Sequence, residues 1–177
     1  MKKIILFTGI HGVGKGYISE RIRCQVNFPI YEASRLIKQS GNISGFNKKV
    51  SNISNNQDYL YYAIENFVKE DLFILDGHTC LLNEKGKIEK IDLKYLYKFN
   101  IVGIVFIYDN GENIKERLYK RDNIKYDTEK LRLFQKLEYE NSMKLSKKLD
   151  IKLLKFKNNN NVNSIIKFLK EVQWKYD

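Results

Sequence analysis

Proline occurs once in this 177-residue chain, tryptophan once, and cysteine and histidine twice each. Two histidines leave no ligand set for a dedicated zinc site. Cys24 and Cys80 match neither a metal-binding spacing nor a disulfide framework, and a reducing compartment suits both. Long apolar runs are also missing: no stretch approaches the roughly 20 residues that a membrane helix needs. The opening MKKIILF mimics a signal peptide, but its apolar part stops after about four residues and runs into Gly9 and His11. It reads as a first strand, which points to the cytoplasm. Arginine is scarce as well, with Arg21, Arg23, Arg35, Arg117, Arg121 and Arg132 set against 26 lysines.

Apolar residues make up 43% of the chain and aromatics 13%, which excludes a disordered tail protein. The length suits one domain with a real core. A net charge of +11 raises the question of a nucleic-acid partner. The lysines are scattered, however, and the abundance of Asn and Ile beside them is the mark of an AT-rich coding sequence. Nucleic acid is therefore a possible but not a favoured partner, no membrane is expected, and the oligomeric state is open.

Apolar runs at 3–8, 72–77, 100–109 and 151–156 are predicted strands, and FPIYEAS (28–34), with the only proline, is a short strand leading into the helix SRLIKQ. Helical periodicity appears over 15–26, 57–70, the segment GENIKERLYKR, and 126–149, the last capped by Asp127 or Thr128. DLKYLYKF is a short helix, and another closes the chain after an Asn-rich turn at 158–161. Residues 41–56 are polar and Gly/Asn-rich and read as a loop; 79–91 reads as a β-hairpin turning at 83–86. Alternating strands and helices predict an α/β fold, a parallel sheet of about five strands with helices on both faces. The whole of 1–177 reads as one domain.

Gly9-x-x-x-x-Gly14-Lys15 follows the first predicted strand and opens a helix, the context in which this spacing means a phosphate-binding loop. Glycines let successive backbone N–H groups turn inward, and the helix N-terminus adds positive potential. Lys15 can then reach the β- and γ-phosphates of ATP. The expected nucleotide contacts are Gly9, His11, Gly12, Val13, Gly14, Lys15, Gly16 and Tyr17. The alternative is a Gly-rich turn that merely joins a strand to a helix. Gly16 stands where most such loops place the Ser or Thr that holds Mg²⁺.

The stretch GIHGVGKGYIS resembles the loop of nucleoside monophosphate kinases, adenylate kinases in particular, which reads Gly-x-x-Gly-x-Gly-Lys-Gly. In that family a glycine after the lysine is usual and Mg²⁺ is held largely through water. The next residue is usually Thr and here is Tyr17. LFILDGH resembles the family's strand ending in Asp-Gly, and Asp76-Gly77-His78 is closer to the Asp-Thr-His of archaeal-type adenylate kinases. By this resemblance Asp76 holds Mg²⁺, through water. His78 either joins the substrate site or is a satisfied residue at a strand end. The family's arginine for the acceptor phosphate is missing, and Cys80 stands near its place.

EASRLIK resembles the segment that closes over the acceptor nucleotide, near 33–56, which makes Ser34, Arg35 and Lys38 substrate candidates. An ordinary amphipathic helix with Leu36 and Ile37 inward is the alternative. Gln57 corresponds to a glutamine that reads the acceptor base. Arg117 and Arg121 in ERLYKRD share one helical face and resemble the arginine pair at the start of the family's lid, here short and near 122–131. Arg117 would lie against the ATP base or phosphates, and Arg121 would contact the transferring phosphoryl oxygens. Arg132 resembles a later lid arginine. A solvated helix face is the alternative for these arginines.

Together these features imply a P-loop NTPase fold and a phosphotransferase that uses ATP and Mg²⁺. Phosphoryl transfer needs in-line positioning and positive charge around the equatorial oxygens. Lys15, Arg117, Arg121 and Arg132 are the candidates for that task. A nucleoside monophosphate acceptor is already ionised at neutral pH and needs no general base. A hydroxyl acceptor, on a metabolite or a nucleic-acid 5′ end, would need a carboxylate such as Glu32 or Asp76. A nucleotide-binding regulatory or nucleic-acid-associated ATPase is the third reading, supported by the charge.

Overall fold

A computed structural model describes residues 2–41, 53–83, 85–123 and 125–176. The apolar run KIILFT forms β1 (Lys3–Thr8), buried along nearly its whole length because other strands cover both its edges. On one side it pairs with β3 (Leu72–Asp76), followed by the short β2 (Ile30–Glu32). On the other it pairs with β6 (Asn100–Tyr108), followed by β7 (Leu153–Lys157). Every pairing is parallel, and the order is β2-β3-β1-β6-β7. The carboxyl ends of β1, β3 and β6 share one edge, where α/β sheets place their ligands.

Side chains alternate across β1, and each set enters its own core. Ile5 and Phe7 pack with Ile18 and Ile22 of α1 (Lys15–Arg23), Ile114 and Leu118 of α5 (Gly111–Asp122), and Ile165 of α7 (Asn163–Tyr176). Ile4 and Leu6 pack with Leu36 of α2 (Ala33–Gly41), Leu60 and Ile64 of α3 (Ile53–Phe67), and Leu96 of α4 (Leu93–Leu96). The long α6 (Thr128–Leu149) serves both cores, through Phe134 and Leu145. Each such side chain contributes about 1.5–3 kcal/mol when fully buried. A register shift between Ile4 and Ile5 lets Val102 intrude in β6, so Val102 and Gly103 both face the α7 side of the sheet.

β4 (Cys80–Leu82) and β5 (Ile88–Lys90) form the expected hairpin, with the Asn83 side chain accepting from the Lys85 and Lys87 N–H groups in its turn. Asp127, not Thr128, caps α6 by accepting from the Glu129 N–H at 3.0 Å. Several expected bounds shift. Helix α3 begins at Ile53, inside the stretch read as loop, because Ser and Asn are weak rather than forbidden helix formers. The remainder of that loop, residues 42–52, lies outside the described residues, and so does part of the acceptor segment expected near 33–56. Helix α5 runs on to Asp122 and α6 begins at Thr128, leaving only 123–127 of the lid expected over 122–131. No helix among the described residues is long and apolar enough to cross a membrane.

Candidate functional site

The chain leaves β1 through a tight loop that only glycine permits at its key points. At Gly14, the N-cap of α1, φ is 98°, and an added Cβ would lie 2.3 Å from the Asn158 amide nitrogen. At Gly9 an added Cβ would lie 2.4 Å from the Ile107 carbonyl oxygen of β6. Gly16 differs: a Cβ there would meet nothing within 4 Å. Steric demands of the protein therefore do not explain it.

The loop's outer carbonyls are held from two directions. Arg117 donates to the carbonyls of Gly12 and Val13 at 3.0 and 3.1 Å, and the Asn158 amide donates to Val13 at 2.6 Å. A second Arg117 nitrogen donates to Asp109, at the end of β6. Asp109 also accepts from the Asn110 N–H and the Asn113 amide, and Gln135 brackets its backbone through bonds of 3.0 and 2.9 Å. Burial raises the Asp109 pKa, but Arg117 and these N–H donors outweigh it and hold the carboxyl below its usual range. Carbonyls fastened outside leave backbone N–H groups for an anion inside, and no acidic residue in the first turn of α1 opposes its positive end.

Lys15 is buried within this cradle. Its ammonium donates to the Gly9 carbonyl at 2.8 Å and lies 3.5 Å from both Asp76 Oδ1 and His78 Nε2. Burial pushes the Asp76 carboxyl up despite Lys15 beside it. Burial, then Lys15 and His11, push His78 well below its ordinary value, so its ring is neutral. The His11 ring sits 4.3 Å from that of His78. His11 stands at the exposed rim, yet the concave wall strips enough water, with Lys15 and Arg121 adding to it, to lower its pKa to about 4.

Behind these groups lies Glu138 of α6, fully buried. It accepts from the Thr8 hydroxyl and from the N–H groups of Thr79 and Cys80, the latter at 2.9 and 2.5 Å. Its Oε1 lies 4.0 Å from His78 Nδ1, a buried nitrogen with no hydrogen-bond partner. Glu138 thus ties the end of β1 to the start of β4 beneath the loop. Cys80 belongs to the same core; burial, then Glu138, push its thiol up to about 12. It does not line the cavity.

One cavity of about 670 Å³ joins the loop to the α2–α3 side of the sheet. His11, Gly12, Gly14, Lys15 and Gly16 line its phosphate end, with Asp76, His78, Arg117 and Arg121 around them. Ser34, Lys38 and Gln57 line its far end, with an apolar floor that includes Leu60, Ile91, Leu96 and Phe99. Two expected loop residues, Gly9 and Val13, do not line it: the Gly9 carbonyl accepts from Lys15, and the Val13 carbonyl is held on the outer side by Arg117 and Asn158. Three further expected residues lie away from the loop. Arg35 pairs with Glu32 at 2.8 Å and is mostly exposed, Arg132 pairs with Glu129 on α6, and Tyr17 is 62% exposed with Arg21 over its ring. Arg121 lines the cavity while gripping Asp122 with two bonds of 2.6 and 2.7 Å.

Glu138, Asp109, Gln135 and Asn158 escaped sequence reasoning. The spacing of Leu131, Phe134, Glu138, Asn141, Ser142 and Leu145 puts Glu138 on the buried face of α6, a signal that helical periodicity does carry. Asn158 is lost in a run of four asparagines, of which it alone is buried.

The fold and the glycine-rich cradle at the carboxyl edge define a P-loop NTPase. Residues 8–135 match the sequence family described as an AAA domain, and the chain belongs to that family. No curated protein matches the sequence. Solved structures with the same fold include TT1252 from Thermus thermophilus, 14% identical with a TM-score of 0.54. A gluconokinase from Sinorhizobium meliloti is 14% identical with a TM-score of 0.53; each of these two alignments covers 99% of this chain and 98% of the other. An uncharacterized protein from Eubacterium ventriosum is 13% identical with a TM-score of 0.51, over 98% of this chain and 99% of that one.

Proposed function

We propose that this protein is an adenylate-kinase-like phosphotransferase, a single domain over 1–177 that moves the γ-phosphoryl of ATP to a nucleoside monophosphate. The observation that carries this reading is the continuous cavity of about 670 Å³, which joins a phosphate cradle to an apolar floor. Its volume suits two small ligands end to end. Leu60, Ile91, Leu96 and Phe99 offer an aromatic base a dry surface, and Gln57 beside them offers hydrogen bonds to a base edge. An open-chain polyol acid would lay hydroxyls against that floor without hydrogen-bond partners.

The donor set fits Mg²⁺ sparingly. No cluster of three or more His, Cys, Asp or Glu that could hold a metal occurs among the described residues. Asp76 alone, at the end of β3, suits an ion that takes most of its oxygens from water and phosphates. Bound there with ATP, Mg²⁺ would neutralise charge on the phosphates. Lys15 leaves the Gly9 carbonyl to meet the phosphates, Arg121 and Lys38 supply charge toward the acceptor, and Arg117 keeps the loop in shape. Neutral His11 and His78 add hydrogen-bonding capacity without further charge. Arg35 and Arg132 reach such ligands only if their present ion pairs open.

A second reading is favoured by Asp76 itself, a half-buried carboxyl with a raised pKa at the phosphate end, which suits a base for a hydroxyl acceptor. The gluconokinase among the similar structures is a kinase of that type by its name. ADP release measured against a panel of nucleoside monophosphates and of sugar and sugar-acid hydroxyls separates the two. Turnover with a monophosphate is expected; turnover with hydroxyl acceptors alone would replace the first reading by the second.

A further inference from the structure

Away from the cavity, one face of the molecule combines features that phosphotransfer does not use. Trp174 of α7 is 77% exposed, the most exposed large apolar side chain among the described residues. It lines a groove of about 450 Å³ with Lys170 and Lys167, about one and two helical turns before it, and with Gln25 and Val26 just beyond α1. The one acid in the groove, Glu171, is paired with Lys152 at 3.0 Å, so the two lysines are left in excess.

Gln25 joins this groove to the face of α1 that carries Arg21 and Tyr17, four and eight residues before it. The Gln25 amide donates to the Arg21 carbonyl, one turn earlier on α1. Arg21 itself donates to the Asn160 carbonyl at 3.2 Å and lies over the exposed ring of Tyr17, 5.5 Å from its centroid. An exposed Tyr, an Arg, two Lys and an exposed Trp thus follow one another along a polar surface. Protein-docking patches are depleted in lysine at their centres. Aromatic faces alternating with cations match bases stacked along a phosphate backbone.

We propose that single-stranded nucleic acid binds along this α1–α7 face, with Trp174 as a stacking platform and Lys167, Lys170 and Arg21 on its phosphates. The proposal does not rest on the phosphotransfer reading, since none of Trp174, Lys167 and Lys170 lines the catalytic cavity.

Trp174 is the chain's only tryptophan, so its fluorescence reports this face alone. The test titrates the full chain with a short oligothymidylate at several salt concentrations and follows Trp174 emission. Anisotropy of a labelled oligonucleotide compares wild type with Trp174→Ala and with Lys167→Ala/Lys170→Ala. Quenching is expected, with a log–log salt slope of about −2 for three phosphate contacts, reduced by about 0.7 per lysine removed. Binding to Trp174→Ala should be roughly tenfold weaker. Any ATP turnover should be unchanged in both variants. Absence of quenching, or equal oligonucleotide binding by all three proteins, would overturn the proposal. Equal quenching by polyglutamate would overturn it too, and would make the face a site for acidic protein.

Discussion

The contact between Asn158 and Gly14 yields a thermodynamic cycle whose sign follows from the geometry. Gly14→Ala forces a residue with a Cβ into φ 98°, a cost of about 1–2 kcal/mol. Its methyl group would also sit 2.3 Å from the Asn158 amide nitrogen and push that amide off the Val13 carbonyl. Losing that bond adds about 1 kcal/mol, for a total of about 2–4 kcal/mol with the residual overlap. Asn158→Ala alone costs about 1–2 kcal/mol, because Arg117 still satisfies Val13. In the double variant the overlap and the displaced bond are gone from the Gly14 side. Its loss of stability should fall short of the sum by about 1–2 kcal/mol. Urea denaturation of the four proteins, followed by circular dichroism, measures this. Additivity within about 0.5 kcal/mol would refute the claim that Asn158 packs on the loop.

Glu138→Ala should cost about 3–5 kcal/mol in the same assay, since it strands the Thr8 hydroxyl and the Thr79 and Cys80 N–H groups in the interior; a loss below about 1 kcal/mol would contradict its bridging role. Gly16→Ala should leave stability unchanged or raise it by up to about 1 kcal/mol, because the position is helical and open. A weaker grip on a fluorescent ATP analogue in that variant would assign the glycine to the ligand. His11, with a folded pKa of about 4 against 6.5 for the free side chain, binds fewer protons folded than unfolded between those values. Its contribution is present above pH 6.5 and lost as pH falls to 4, trimmed by solvent at the rim. His11→Gln should therefore flatten the fall of the urea midpoint across that window, and parallel curves would contradict the assignment.

The phosphate loop was legible because its chemistry is local: Gly9, Gly14 and Lys15 have their meaning within seven residues of sequence. Apolar runs announced the central strands for the same reason. Partnerships across the fold were not legible. Arg117 reads as a free cation aimed at phosphate, whereas Asp109 and two loop carbonyls occupy its guanidinium. Cys80 aligns with a substrate contact, yet the pull of Glu138 on its N–H turns this segment into the core. Tyr17 departs from the family's pattern, and its ring lies outside the cavity, on Arg21. Sequence spacing gives which residues can meet along one helix, but burial and distant hydrogen bonds decide which do.

The two groups that brace the phosphate loop come from far along the chain, Arg117 lying 104 residues beyond Val13 and Asn158 lying 145 beyond it. During synthesis the glycine-rich turn emerges early, but its outer carbonyls find their partners only after β6, α5 and β7 have been made. Nucleotide affinity should then appear late, as a signal that the sheet is complete. A fragment that stops before residue 158 would carry the whole motif and still hold ATP poorly.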